Sequence, residues 1–372
     1  MSSAFTREYR DGFSDGFEPL KPIDVTEAKT VSALLEACAN TAFGGRRLGE
    51  AARTLEHMIR DPECFIVGTV SGAMTVAKQG LLLYEMIERG WMHAVVTTGA
   101  LMSHGLVESS GMSHFKFNNS MDDKELLEKG YDRIYDTLEL EQNLEDTERL
   151  VRAVVELTPE DTDFSSERFF YELGRYLDET TPKEARSFIK SAYRKNVPIY
   201  VPAFTDSELG LDFATLNHLR VREGKPRRRF DPYLDLDSYA RLVSVQTRTG
   251  IFTIGGGVPR NWAQQAGPYL DLLEKRAGLP GRGFRFRYGV RVCPEPVHWG
   301  GLSGCTYSEG VSWGKFVPTS EGGRFSEVFV DATIAWPLLV RAMIERVGDD
   351  VIEKRLQPQP EPNDALFPLA GV

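Results

Sequence analysis

With 372 residues, 41% of them hydrophobic and 26% charged, the chain can bury a large core as one big α/β domain or two ordinary ones. A formal net charge of -10 argues against non-specific nucleic-acid binding and suits a cationic substrate, and no stretch is apolar and long enough to span a bilayer. Residues 1–18 have acidic and aromatic residues where a signal peptide is basic and then apolar, so a cytoplasmic protein is expected; Cys38, Cys64, Cys293 and Cys305 lack paired spacing and read as buried free thiols.

Residues 1–23 have no sustained periodicity and read as an arm. Apolar spacing predicts a helix over 25–42, through Val31, Leu34, Leu35 and Cys38, and another over 48–60, the two joined by Gly44 and Gly45. An apolar run at 64–70, a helix at 75–89 and a second run at 92–98 make a β-α-β unit, whose strands should be parallel. The charged middle, 122–195, reads as helical, with segments at 146–157, 165–177 and 182–194, the last opened by Thr181 as cap and Pro182 in the first turn. A strand signal follows at 197–204, and the basic run 220–229 (RVREGKPRRR) reads as a solvated or interface loop. Next come a helix at 233–246, a strand at 251–254, a helix at 259–276, strands near 284–292 and 328–330, and a last helix from about 333 to 347. The proline-rich tail, 357–372, reads as irregular. No repeat or clean linker divides the chain. The expectation is an α/β fold with a mostly parallel sheet flanked by helices, a single large domain at 24–356 with a helical insertion.

In an open parallel sheet, ligands bind beyond the carboxyl ends of the strands. The residues after each apolar run are Ser71-Gly72-Ala73, Thr97-Thr98-Gly99-Ala100, Thr205-Asp206, Gly255-Gly256-Gly257 and Asp331-Ala332. All are small, polar or acidic, as a nucleotide-sized site needs and as ordinary turns also use. The triple glycine, between a strand and Pro259, lets a ligand approach the start of a helix, although the G-x-G-x-x-G fingerprint is absent.

The segment Glu309-Gly-Val-Ser-Trp-Gly-Lys315 has a second kind of chemistry. A lysine acts as a nucleophile only when neutral; the apolar Trp313 disfavours its ammonium form, and Gly314 leaves room for a ligand. On the residues alone, a loop lysine beside a core tryptophan is the commoner arrangement.

This segment resembles the lysine segment of the deoxyhypusine synthase family. So do VTTGA (96–100), PAFTDSELG (202–210), IGGGV (254–258) and VDATIAWPLLV (330–340), all in the family's order. The resemblance implies a Rossmann-like fold, a homotetramer with sites between paired subunits, and NAD held at positions matching Thr98, Gly99, Asp206, Gly256, Gly257, Ser303 and Asp331. It implies that Glu309 and Trp313 hold a polyamine and that Lys315 forms a covalent imine. In the family's reaction, NAD takes a hydride from spermidine, and a butylamine fragment passes through the lysine to an acceptor amine. Here the acceptor is a lysine of the hypusine-bearing translation factor or putrescine, the latter giving homospermidine.

The chain departs from the family pattern in several places. Ser103-His104 stands where the animal enzymes have two glutamates, Asn261 where they have a histidine, and Leu211, followed by Asp212, where they have an acid. Gly72-Ala73 replaces a cofactor-binding Ser-Asn. His104 reads as a base, a polyamine contact or a structural hydrogen-bond donor. A scaffold that keeps the fold without turnover is the alternative; an ordinary nicotinamide dehydrogenase is disfavoured because neither the fingerprint nor a proton-relay dyad appears.

Overall fold

The computed structural model describes residues 9–279, 283–301, 304–348 and 352–358. Among them are nine strands: β1 (Cys64–Val70), β2 (Ala94–Thr97), β3 (Phe115–Lys116), β4 (Tyr131–Ile134), β5 (Thr137–Leu140), β6 (Ile199–Tyr200), β7 (Arg248–Ile254), β8 (Tyr288–Val292) and β9 (Arg324–Val328). Six of them form an all-parallel sheet in the order β6-β2-β1-β7-β8-β9, while β3, β5 and β4 form a small antiparallel sheet. The expected α/β architecture is therefore the one found, with helices on both faces.

The reason lies in β1, CFIVGTV, which is buried throughout. A strand covered on both faces reads as a continuous apolar run, and its alternate residues feed two cores. Cys64, Ile66 and Val70 join one cluster with the helices Phe43–Arg60, Gly80–Glu88 and Ala332–Val347. Phe65 and Val67 join the other, with Pro232–Ser244, Gly257–Gln264 and Ala266–Ala277. β1 pairs with β2 through Val67 opposite Ala94 and with β7 through Val67 opposite Ile251. The strand order runs outward in both directions from β1 and β7, so the crevice beyond their carboxyl ends is a topological switch point.

Trp336, fully buried, lies against Phe252 of β7 with ring centroids 6.5 Å apart. Trp336→Ala should cost about 3–5 kcal/mol in urea unfolding, because a rigid core collapses only partly around so large a void.

Several boundaries differ from expectation. The first helix is Val31–Ala39, started by Thr30, whose side chain accepts the Ala33 N–H. Gly44 and Gly45 lie inside the helix Phe43–Arg60 and do not join two helices. Residues 75–78 form turns, and Gln79 leads into the helix Gly80–Glu88. Thr181 caps the end of Ser166–Thr180, and the next helix starts only at Phe188, where Ser187 accepts the Lys190 N–H. The segment 259–276 divides at Gln265. The last strand ends at Val328, in register with Val292, so 328–330 is mostly the loop after it.

The helix Gly99–Ser109 had no periodic signal because nearly every side chain in it is buried, leaving no polar stripe. The basic run is a mostly exposed loop from 223 to 229, as expected, except at two of its arginines. Arg220 is 1% exposed and paired with Glu156 and Glu160; Arg228 is buried and donates to the carbonyls of Val155, Thr158 and Pro159 at the end of Glu141–Leu157. These arginines lock the helical middle to the sheet domain's neighbouring helix. All four thiols are free, with Cys64 and Cys293 buried and Cys38 and Cys305 only half-buried. No helix among the described residues is long and apolar enough to cross a membrane.

One buried group makes the core pH-sensitive. His93 accepts the Ile66 N–H through Nδ1 at 2.9 Å, and burial, helped by the Lys354 charge, pushes its imidazole down to about 3. The unfolded chain binds a proton near pH 6.5 that the folded chain refuses, so stability is full above that pH and declines as pH falls toward the folded value. Between pH 7 and 5, wild type should lose about 2 kcal/mol more than His93→Gln in urea titrations.

Candidate active site

All five segments read from the sequence as strand-end loops sit at the carboxyl edge of the parallel sheet. Ser71 N–H donates to the Ile254 carbonyl at 3.0 Å, the Ser71 hydroxyl donates to the Gly256 carbonyl, and Thr98 Oγ1 donates to the Gly72 carbonyl at 2.9 Å. The loops after β1, β2 and β7 are thereby stitched together. Thr98 Oγ1 also accepts the Leu101 N–H and caps the helix Gly99–Ser109, while Gly256 precedes Gly257–Gln264.

Gly99 is where the loop after β6 arrives: a Cβ there would lie 2.3 Å from Ser207 Cβ and 3.2 Å from the Asp206 carbonyl oxygen. Asp206 itself is exposed. Asp331 accepts the Thr333 N–H at 2.7 Å, and Gln79 ties that helix start back by donating to the Thr333 carbonyl at 2.8 Å. Helix starts with free N–H groups, a hydroxyl and two carboxylates thus surround the switch point, a donor set that fits the phosphates and ribose hydroxyls of a dinucleotide. Ser303 lies outside the described residues.

The helix that begins at Gly257 carries Asn261 one turn on, which leads from this edge into a second cleft. It has a volume of about 470 Å3 and is lined by Asn261, Gln265, Pro268, Cys305, Glu309, Trp313 and Lys315. That is within the usual range for small-ligand sites. Lys315, Glu309, Trp313 and Asn261, chosen from sequence, therefore share one wall.

The short helix Tyr307–Ser312 supplies Glu309 and ends at Trp313. Gly314 then takes φ +68, a left-handed turn that an L side chain resists. A Cβ on Gly314 would meet nothing, so the glycine is needed for the turn more than for the room expected of it. The turn sends Lys315 inward, where its carbonyl accepts the Phe286 N–H at 2.9 Å.

Lys315 is only 8% exposed, whereas Trp313 is 65% exposed and free to cover a ligand. The ammonium stands 5.9 Å from the Trp313 ring centroid, the outer limit of a cation–π contact. Burial lowers the Lys315 pKa from the ordinary lysine value; the Arg260 charge adds to this, and Cys305 opposes it. The local environment thus favours the neutral, nucleophilic amine.

His104 is not in that cleft's lining. It is buried in Gly99–Ser109 with Nδ1 2.5 Å from the Glu139 carboxylate of β5. Asp212 cannot stand in for the acid missing at Leu211, because successive helical residues are about 100° apart. Leu211 is exposed; Asp212 is half-buried and pushed up to about 6 by burial and by Glu148, Glu208 and Glu145. Sequence reasoning missed Glu139 and His114, 35 and 10 residues from His104, because no local spacing joins them. It also missed Cys305 and Gln265 in the lysine cleft.

The sequence profile of deoxyhypusine synthase matches residues 33–343. A Methanosarcina acetivorans protein named "Probable deoxyhypusine synthase 2" is 34% identical over 340 residues, covering 91% of this chain and 93% of its own. A Chlorobaculum tepidum "Deoxyhypusine synthase-like protein" is 32% identical over 323 residues, covering 87% and 88%. Among solved structures, an Entamoeba histolytica protein assigned to deoxyhypusine synthase superposes with a TM-score of 0.56 at 16% identity, over 87% of this chain and 96% of that one, a likeness of fold. With that profile spanning most of the parallel-sheet domain and relatives above 30% identity across nearly the whole length, the chain belongs to the deoxyhypusine synthase family.

Proposed function

We propose that the protein catalyses NAD-dependent transfer of a 4-aminobutyl group from spermidine, through an imine on Lys315, to an amine acceptor. The acceptor is a lysine of the hypusine-bearing translation factor or free putrescine. The observation that carries this reading is Lys315 itself: a buried lysine of lowered pKa sharing a cleft with Glu309 and the exposed Trp313.

Thr98, Gly99, Asp206, Gly256, Gly257 and Asp331, with Ser303, would hold NAD, which accepts a hydride from the carbon beside the polyamine's secondary nitrogen. Glu309 attracts the cationic substrate, Trp313 covers it and excludes water, and Asn261 contacts the polyamine. Lys315 attacks the substrate imine, the bond from that carbon to the substrate nitrogen breaks so that propane-1,3-diamine leaves, and the lysine keeps the butylamine fragment as its own imine. A homotetramer with sites between subunits belongs to the same reading, and the exposed Phe43, Trp299 and Phe329, which line adjoining clefts, are apolar surface that a partner copy would cover.

The test is incubation with spermidine and NAD, borohydride reduction and mass spectrometry. A butylamine adduct on Lys315 is expected, and addition of putrescine or the translation factor should discharge it before reduction. If NAD binds and no adduct forms, spermidine is not the donor or turnover has been lost, the reading that Asn261 and Leu211 favour.

A further inference from the structure

The lysine cleft is lined by two stripes of different character. Glu309 and Trp313 stand four residues apart and continue to Lys315, which makes one stripe acidic, aromatic and nucleophilic. Asn261, Gln265 and Pro268 stand at i, i+4 and i+7 and make the other. Gln265 is the joint between the helices Gly257–Gln264 and Ala266–Ala277, but its backbone stays right-handed at φ -77 and ψ -9, so the three remain on one face.

The second stripe is polar and carries no charge. Asn261 and Gln265 are both exposed, and neither side-chain amide has a hydrogen-bond partner among the described residues. Two neighbouring amides therefore present free carbonyl oxygens and free NH2 groups to whatever enters. Among the described residues of the lining, Glu309 is the one carboxylate. Arg260, the residue before Asn261, is buried, and its positive charge is felt at Lys315.

That charge balance bears on the donor. Aliphatic amines hold their protons up to about pH 10, so spermidine enters as a trication. One ammonium ends the aminobutyl group that is transferred, one is the secondary nitrogen at the bond that breaks, and one ends the aminopropyl half that leaves. Glu309 can balance one of them. Once Trp313 covers the cleft, a further ammonium loses water and gains no counter-charge, a heavier cost than burying a neutral polar group that is fully hydrogen-bonded. An amide on the ligand suits the second stripe better, since its carbonyl accepts from the NH2 groups of Asn261 and Gln265 and its N–H donates to their oxygens.

We propose that the preferred donor is a spermidine skeleton whose leaving half ends in a neutral amide, an N-acylated polyamine, and that Asn261 and Gln265 are the residues that select it. This rests on the transferase reading above. Glu309 takes the ammonium of the aminobutyl end, and the paired amides take the acylated end. The bonds made and broken at Lys315 are those of the transferase step. Only the departing amine differs: an acetylated donor releases N-(3-aminopropyl)acetamide in place of propane-1,3-diamine.

The test measures kcat/KM for the borohydride-trapped adduct on Lys315, at saturating NAD, with three donors. They are spermidine, spermidine acetylated on the aminopropyl end, and spermidine acetylated on the aminobutyl end. The aminopropyl-capped donor should exceed spermidine by about tenfold or more, the scale of one uncompensated buried charge. The aminobutyl-capped donor should react least, because its cap removes the ammonium that Glu309 holds. Asn261→Asp combined with Gln265→Glu keeps the shapes and adds counter-charge, so it should reverse the order of spermidine and its aminopropyl-capped form. Both positions are exposed, and the double variant should fold. Equal rates, or faster reaction of spermidine, in wild type overturn the inference and leave the transferase standing. An order that survives the double variant overturns the selecting role of Asn261 and Gln265. No adduct from any of the three donors, with NAD shown to bind, sinks the transferase reading and this inference with it.

Discussion

Lys315→Ala should abolish the trapped butylamine adduct and lower transfer by roughly 10⁴-fold or more, the scale on which loss of a covalent nucleophile is felt. NAD affinity should stay within about twofold, because the strand-end loops proposed to hold the cofactor come from other segments. Lys315→Arg should be as inactive, since a guanidinium stays charged at any working pH. A defect of binding alone would spare the arginine variant in part, so the pair separates nucleophilic chemistry from charge.

The pH dependence of adduct formation follows from the same site. A lysine lowered below its usual 10.5 gains its neutral form sooner as pH rises, so the Lys315 limb should climb with pH and end below that value. Trp313→Ala should move the limb upward and slow the reaction at pH 7 by about tenfold, because water replaces the ring and relieves the burial of the lysine, which outweighs a cation–π contact at its outer limit. A limb unmoved by Trp313→Ala would mean that the exposed ring covers the substrate without affecting the lysine.

How much of this could be read from the chain depended on the range of the signal. β1 announced itself as seven apolar residues, and its burial on both faces follows from that run. The five strand-end segments were legible because turn chemistry is local. Lys315, Trp313 and Glu309 were found through a contiguous motif, and the fold turns them into one wall by a single left-handed glycine. Glu139 was invisible because it lies on a hairpin while His104 and His114 come from a helix and a loop, and these meet only in three dimensions. Arg220 was misread for the opposite reason: basic runs are usually solvated, yet Glu156 on another helix and Glu160 in the turn after it pair with this buried guanidinium. Helix starts were missed by several residues where a capping side chain, Thr30 or Ser187, overrode the apolar spacing.

Gly99→Val should have the second largest effect and should strike the cofactor site without touching Lys315. Even a single added carbon would stand 2.3 Å from Ser207 Cβ, so the loop after β6 or the start of Gly99–Ser109 must retreat by more than an ångström. Either movement displaces Asp206, the Thr98 cap and the hydroxyl bond from Thr98 to Gly72. Overpacking of this kind costs about 1–3 kcal/mol, to be read in urea unfolding. NAD affinity should fall by at least about tenfold in fluorescence titration, with binding at saturating NAD restoring part of the stability. Gly44→Ala is the contrast: it lies in a helix with nothing within 4 Å of the added carbon, and it should gain up to about 1 kcal/mol. If Gly99→Val bound NAD as wild type does, the crevice between the β1, β2, β6 and β7 loops would not be where the cofactor sits, and the assignment of Thr98 and Asp206 would fall with it.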